Sequence, residues 1–421
     1  MTTSDLPLPR FDPARPPVVL MGGINLVRTL GMANIPAIVA TPDSDEPALR
    51  SRYCTARWLL PPLASAAAIE SLTELGKRVT AALGRRVPLM YGSDDALELI
   101  QAHEPLLGRY FVFLLSDPDV AHALIAKDRF EAFAQARGLP APPALTWNGT
   151  GAGSVRGTQG PVLVKPRSKV DWHHSALCQR LFGGDGKARV FASGAAAAAD
   201  PDLALFHDQL TLQQYIAGGD TDLWSFHGFA DEHGEVMASF IGRKVRTYPT
   251  LTGESAFIEL DHDDSLDAAG REVARLCPMR GVFKMDFKRD ATDGRWYLLE
   301  INARYNLWHY LGARNGANLM AAAYGYLVDG QRPAPLRADT RYRWLSLDLD
   351  FKAYRELAGR GELTFPQWAG SILRSRNVYN VFAWRDPAPW IHFWASRVTR
   401  RLFRGPARLQ AAVRQWRSTA S

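Results

Sequence analysis

The chain has 421 residues, 47% hydrophobic and 22% charged, a composition that excludes disorder and suits an enzyme-sized globular protein. Its net charge of +7 equals the seven arginines between 391 and 421 (Arg397, Arg400, Arg401, Arg404, Arg408, Arg414, Arg417), where no acidic residue occurs, so the body is neutral and gives no basis for nucleic-acid binding. Cys54, Cys178 and Cys277 are odd in number and far apart, which argues against a disulfide framework or structural zinc and for a reducing, cytoplasmic setting.

The opening MTTSDLPLPRFDPARPP has no apolar core, so a secretory leader is not expected. A short apolar run, Val18 to Met21, is followed by Gly22, Gly23 and a helical pattern carrying Leu26, Leu30 and Ala33. IPAIVA then reads as a second strand. This strand–glycine–helix–strand order is that of a doubly wound α/β unit. The glycine pair either makes the turn alone or binds a phosphate; the full GxGxxG is absent. RVPLMYGSDDALELIQ and RYFVFLLSD continue the same kind of unit.

SDPDVAHALIAKDRFEAFAQARGLPAPP predicts a helix capped by Asp117, started by Pro118 and ended by Gly138 and Pro140. GPVLVKPR predicts a strand stopped at Pro166, LTLQQYIAGGDTDLWSFHGFA a strand, turn and strand, and GEVMASFIGRKVRTYPT another strand. In GVFKMDFKRDATDGRWYLLEINAR two alternating runs flank a turn containing Asp293-Gly294, a hairpin signature. LGARNGANLMAAAYGYLVDG is helical. Beyond about 336 the chain grows rich in Trp, Arg and Pro and reads as a C-terminal extension ending in a basic amphipathic tail.

The hairpin carries the chemistry. Period-two alternation places Glu300, Asn302 and Arg304 on one face of the second strand, with Leu299 and Ile301 on the other. Lys284, Asp286 and Lys288 share a face of the first strand. A turn over 291–295 pairs 290 with 296 and sets Asp286 opposite Glu300. Two facing carboxylates destabilise a sheet unless compensated, and a divalent cation would compensate them. Asp, Glu and an amide oxygen are hard donors suited to Mg²⁺. A half-exposed hairpin neutralised by its own Lys and Arg is the competing reading.

This hairpin resembles the magnesium-binding core of the ATP-grasp superfamily, the EIN-x-R ending above all. The resemblance implies that Asp286, Glu300 and Asn302 hold Mg²⁺ (or Mn²⁺) bridging the phosphates of ATP, and that Arg304 steadies the reacting phosphate. It further implies that Lys127 in AKDRF and Lys165 in VLVKPR reach the nucleotide. LQQYIAGGD resembles the hinge between the lobes. There Gln214, Tyr215 and Ile216 would line adenine, largely through backbone groups, and Asp220 or Asp222 would accept the ribose hydroxyls.

The likeness covers roughly 15 to 325. VVLMGGINLVRTLG, SRYC and FAWRDPAPW also resemble a bacterial group of predicted ATP-grasp carboxylate–amine ligases. The implied layout is an N-terminal Rossmann-like pre-ATP-grasp α/β domain over 1–115 and an ATP-grasp domain over 116–335 with its metal hairpin at 281–304. A helical, basic C-terminal extension over 336–421 would follow.

Two features depart from the pattern. The flap after the strand lysine is PRSKVDWHHSALCQR, without glycine, so Lys169, His173 and His174 would have to serve as phosphate donors or stand aside. Gln214 occupies a position where an acid is common.

The implied reaction joins a small-molecule carboxylate to an amine or thiol through an acyl phosphate, giving ADP and phosphate. A regulatory ATP-binding protein and a phosphotransferase are the alternatives. Arg246 is a candidate clamp for a substrate carboxylate, and Tyr305, Trp308, His309 and Tyr310 are candidate pocket wall or lobe packing, with His309 as a candidate base. Trp390, Phe393, Trp394 and Phe403 either pack on the body or meet an anionic membrane surface beside the tail's arginines.

Overall fold

In the computed structural model, residues 8–125, 127–147, 155–156, 160–167, 176–182 and 188–397 are described. Three sheets organise them. The first is parallel, in the order β3-β2-β1-β4-β5, with β1 Val18–Met21, β2 Ala37–Thr41, β3 Cys54–Leu59, β4 Val87–Tyr91 and β5 Phe111–Val112. Strands β1, β2 and β4 are buried along their whole length, as continuous apolar runs covered by helices on both faces must be. The order reverses between β1 and β4, so the crevice of this unit opens beyond Met21 and Tyr91.

The second sheet, β7-β6-β10-β8-β9, is antiparallel: β6 Ala144–Trp147, β7 Val155–Arg156, β8 Val162–Pro166, β9 Arg189–Phe191 and β10 Leu210–Gln214. It has its own apolar core of Val162, Val164, Leu177, Leu181, Leu203, Leu210 and neighbours.

The third sheet has seven strands in the order β15-β14-β11-β12-β13-β16-β17. These are β11 Leu223–Ala230, β12 Val236–Tyr248, β13 Glu254–Leu260, β14 Gly281–Arg289, β15 Trp296–Asn302, β16 Tyr342–Leu345 and β17 Arg376–Tyr379. One face, bearing Phe226, Phe283, Met285, Phe287, Leu298 and Ile301, joins a core continuous with the first unit through Leu89, Tyr91, Ile100 and Leu124. The other face carries the charged residues described below.

The predicted helix after Asp117 is found as Pro118–Ile125 and Lys127–Ala136. The region after 336, expected as a helical extension, also supplies β16 and β17 to the edge of the third sheet. FAWRDPAPW is tied to the first unit by Asp386, which is buried and accepts from Arg28 Nε at 2.9 Å, Ser51 Oγ at 2.8 Å and the Arg52 amide at 2.8 Å. Further on the surface turns apolar: Trp384 is 87% exposed, Ile391 58%, Trp394 47% and Trp390 39%. Phe403 and the last six arginines lie outside the described residues.

Candidate active site

The β14–β15 hairpin sets Asp286 opposite Glu300 and Lys284 opposite Asn302, as alternation predicts, but by a different route. The turn begins one residue earlier than expected: Gly294 N–H bonds to Asp290 O and Asp290 N–H to Arg295 O, so Arg289 rather than Asp290 faces Trp296. Continued regularly, that register would set Asp286 against Leu299. A bulge between Asp286 and Phe287 absorbs one residue and restores the carboxylate pair. The expected sharing of a face by Leu299 and Ile301 is therefore corrected. Leu298 and Ile301 are the buried pair, and Leu299 is only half-buried.

Asp286 is buried. Its Oδ1 accepts from Ser225 Oγ and its Oδ2 meets Lys284 Nζ at 2.7 Å. Burial alone would raise its pKa, but Lys284, Lys244 and the hydrogen bonds from Lys284 and Ser225 outweigh it and hold the carboxyl ionised, below the usual range. Glu300 is exposed and accepts from Asn302 Nδ2 at 3.0 Å. Asn302 Oδ1 in turn accepts from Arg304 at 3.1 Å, and Arg304 Nε meets Asp94 Oδ1 at 2.5 Å. Asp94 opens the helix Asp94–Ala102 at the crevice of the first unit, behind its cap Ser93. One relay thus runs from Glu300 through Asn302 and Arg304 into the N-terminal unit, and Tyr305 N–H continues it by bonding to Tyr91 O at 3.1 Å.

The donor set fits a hard divalent cation: two carboxyl groups from paired strands with an amide oxygen next along. Among the described residues no three His, Cys, Asp or Glu side chains converge.

Lys165 comes from β8, on the opposing sheet. Burial lowers its pKa, and Glu131 and Glu300 work against that shift, so its ammonium is felt by the same carboxylate that pairs with Asp286. Lys127 starts the helix Lys127–Ala136, but its side chain lies outside what is described, as do Lys169, His173 and His174.

At the hinge, Gln214 N–H bonds to Pro143 O and Tyr215 N–H to Pro161 O, so neither amide is available to a base; Ile216 is buried. The Tyr215 ring carries Lys288 Nζ 4.4 Å from its centroid. Lys288 is itself buried, and burial lowers its pKa to about 8 against the opposing pull of Asp222, Asp220 and Asp290.

Asp220 accepts from Thr247 N–H (2.7 Å), Thr247 Oγ (2.8 Å) and Leu251 N–H (2.7 Å), so both its oxygens close the β12–β13 turn. Asp222 binds only Gly219 N–H at 2.8 Å, through one oxygen, among these bonds. Alternation had set Lys288 on the face of Asp286 without giving it a role. Asp94 and Glu131 carried no sequence signal, because only the tertiary fold brings them here.

Several candidates are placed elsewhere. Arg246 clamps a carboxylate of its own chain: its Nε and a terminal nitrogen meet both oxygens of buried Asp350 at 2.6 and 3.0 Å. It is not free for a substrate. Lys244, two residues earlier, makes no ion pair among the described residues and faces Asp286 and Asp220. Tyr305, Trp308, His309 and Tyr310 are all buried. His309 Nδ1 lies 3.1 Å from Asn306 N and burial lowers its pKa to about 4, so it is a neutral packed imidazole. Beside it His227, fully buried, stacks on Phe240 at 4.4 Å. The Gly22–Gly23 turn is filled by Glu46, whose carboxylate bonds to the backbone of Ala48 and Ile24 at the N-terminus of the helix Ile24–Met32. An anion of the chain occupies the place a phosphate would take.

No family model matches the chain. It is 24% identical over 266 residues to a D-aspartate ligase of Enterococcus faecium, a match spanning 60% of this chain and 61% of that relative, so less than two thirds of the relative is covered. Among solved structures it is similar to a biotin carboxylase of Campylobacter jejuni (TM-score 0.53, 13% identity, 76% of this chain and 73% of that one). It is also similar to an N5-carboxyaminoimidazole synthetase of Staphylococcus aureus solved with ADP (0.53, 13%, 80% and 82%). A third likeness is to an L-amino acid ligase of Bacillus licheniformis (0.50, 13%, 75% and 74%). At these identities the likeness shows the fold, and the fold is ATP-grasp.

Proposed function

We propose that the chain is an ATP-dependent ligase that joins a small-molecule carboxylate to an amine (or a thiol). The observation that carries this reading is the convergence of Asp286, Glu300 and Asn302 on one hairpin face, with Lys165 opposing them from the second sheet and Arg304 held beside them by Asp94. The names of the similar proteins, a D-aspartate ligase and an L-amino acid ligase, support it.

In this reading Asp286, Glu300 and Asn302 hold Mg²⁺, which would neutralise phosphate charge during transfer. Lys127, Lys165 and Arg304 add positive charge around the phosphates. Adenine lies along Gln214–Ile216 through groups other than the two engaged amides, and Asp222 rather than Asp220 takes the ribose. A donor carboxylate oxygen attacks the γ-phosphorus of ATP as the bond to ADP breaks. The amine then forms the C–N bond, phosphate leaves with the C–O pair, and a proton is lost to water. The enzyme's contribution is alignment and electrostatics, with no covalent bond to the enzyme itself.

The test is release of ADP and phosphate from Mg·ATP across a panel of acids that includes D-aspartate and other amino acids, with and without amines. Release that needs both partners supports the ligase. A stable phosphorylated product without free phosphate identifies a phosphotransferase instead. Saturable ATP binding with no turnover on the panel would point to a binding protein.

We further propose that the exposed Trp384, Trp390, Ile391 and Trp394, followed in sequence by the arginine-rich tail, rest on an anionic lipid surface. No helix among the described residues is long and apolar enough to cross a membrane, so contact would be peripheral. Full-length protein should float with anionic liposomes and a full-length variant with Trp384, Trp390, Ile391 and Trp394 replaced by serine should not; equal flotation would refute the contact.

A further inference from the structure

On β14 three charged residues follow one another along one face: Lys288, Asp286 and Lys284. Lys288 lies against the Tyr215 hinge, so Lys284 sits on the far side of Asp286 from the hinge. Its side chain is 12% exposed and its Nζ is 2.7 Å from Asp286 Oδ2. Around it are the Trp308 ring, 5.6 Å from Nζ, and His227, its cross-strand neighbour. Both ring nitrogens of His227 and Nε2 of His309 are buried without a hydrogen-bond partner among the described residues, and the two rings lie 5.8 Å apart. Three buried polar atoms thus lie beside a largely buried ammonium, packed against Phe240 and Trp308.

A carboxylate that pairs with Lys284 cannot give the same oxygen to a divalent cation, because the two positive charges would then be within contact distance. Resting on the proposed ligase reading, we infer that Lys284 is the counter-ion of Asp286 only while the cation is absent. When the cation binds, Lys284 turns away from Asp286 toward Trp308, His227 and His309 and there anchors the carboxylate of the acyl donor. The position suits that role. Along the strand the order is hinge, metal carboxylate, Lys284, so an acid held by Lys284 lies past the metal, where it must meet the terminal phosphate. Trp308 offers the displaced ammonium a π face, and the two neutral imidazoles offer polar edges to a bound acid.

The experiment uses the full chain, with Mn²⁺ as probe, read by electron paramagnetic resonance. Lys284→Met should bind Mn²⁺ about tenfold more tightly, since a competing charge is removed, and Lys284→Arg should bind it as the wild type does. Lys284→Gln, whose amide can still donate to Asp286, gives a neutral variant should methionine not fold. In steady state the neutral variant should raise KM for the acid about tenfold with KM for ATP unchanged, the loss of one charge-assisted contact. Unchanged Mn²⁺ affinity, or unchanged KM for the acid, overturns the inference. If Asp286→Asn and Glu300→Gln both bind Mn²⁺ as the wild type does, or if no acid turns over in the wild type, the ligase reading itself has failed instead.

Discussion

Two buried ion pairs lie on the third sheet and differ in how they are closed. Arg246 and Asp350 meet through both nitrogens and both oxygens, with Ser371 Oγ on the guanidinium, Trp368 Nε1 on the carboxylate and Phe257 beneath the Arg at 4.8 Å. Lys284 and Asp286 meet at one contact, with Ser225 the other bonded neighbour, while Lys244 and Glu300 stand near without closing on them. Burial is common to both pairs; saturation is not. A pair closed on both carboxylate oxygens is a lock, since any exchange would strand a buried charge. A pair with spare capacity and neighbouring unpaired charge can exchange partners, which is what a site for a cation and a phosphate has to do.

The largest expected effect separates the two by function. Asp286→Asn and Glu300→Gln should each remove ATP turnover, measured as ADP release, in protein that is still folded by circular dichroism. Full activity in both variants would refute the metal assignment. Asp350→Ala should do the opposite. It leaves Arg246 buried without a partner and should cost roughly 3–5 kcal/mol of stability by denaturant unfolding. At temperatures where the variant stays folded, nucleotide affinity should be unchanged. If Asp350→Ala weakened ATP binding at unchanged stability, the comparison would be inverted.

A smaller effect probes the buried histidine near the open pair. Burial lowers the His309 pKa to about 4, and the ordinary value is near 6.5. Above pH 6.5 the imidazole is neutral folded or unfolded and adds no pH dependence. Between about pH 6.5 and 4 the unfolded chain binds the proton and the folded one does not, so stability falls as pH falls, by about 3 kcal/mol over that window. His309→Gln should flatten that part of the stability profile. An unchanged slope between wild type and variant would mean that His309 is protonated in place.

Local pattern revealed much of this site. Alternation and the Asp-Gly turn named the right pair, Asp286 and Glu300, but only because a one-residue bulge offset a turn placed one residue late. The one-residue bulge that preserves the pairing was not legible, since it depends on where the turn closes. The roles of Arg246 and Lys244 could not be told apart from RKVR, because what distinguishes them is Asp350, a hundred residues on. Asp94 was hidden for the same reason. It reaches Arg304 only because the switch point of the first sheet lies beside the end of β15. The aromatic run after the motif read as lobe packing before pocket wall. The structure buries all four residues and leaves the question to the unpartnered nitrogens of His227 and His309.

The smallest effect concerns the glycine pair near the N-terminus, where sequence left phosphate binding open. The turn is closed in the same sense as the Arg246–Asp350 lock. Glu46 caps the Pro47–Arg50 turn through Ala48 N–H at 3.1 Å, bonds to the backbone of Ile24, and has its pKa raised by burial. A Cβ at Gly22 would stand 2.7 Å from the terminal methyl of Leu26, so glycine eases the packing of this turn, whatever binds nearby. Glu46→Ala should therefore cost about 1 kcal/mol, the usual loss of a cap, and leave ATP affinity untouched. If the turn were instead a phosphate site held shut by its own carboxylate, the same substitution would create an anion site. Tighter binding of ATP or inorganic phosphate in Glu46→Ala, measured by calorimetry, would then show that this second cluster, too, had been open.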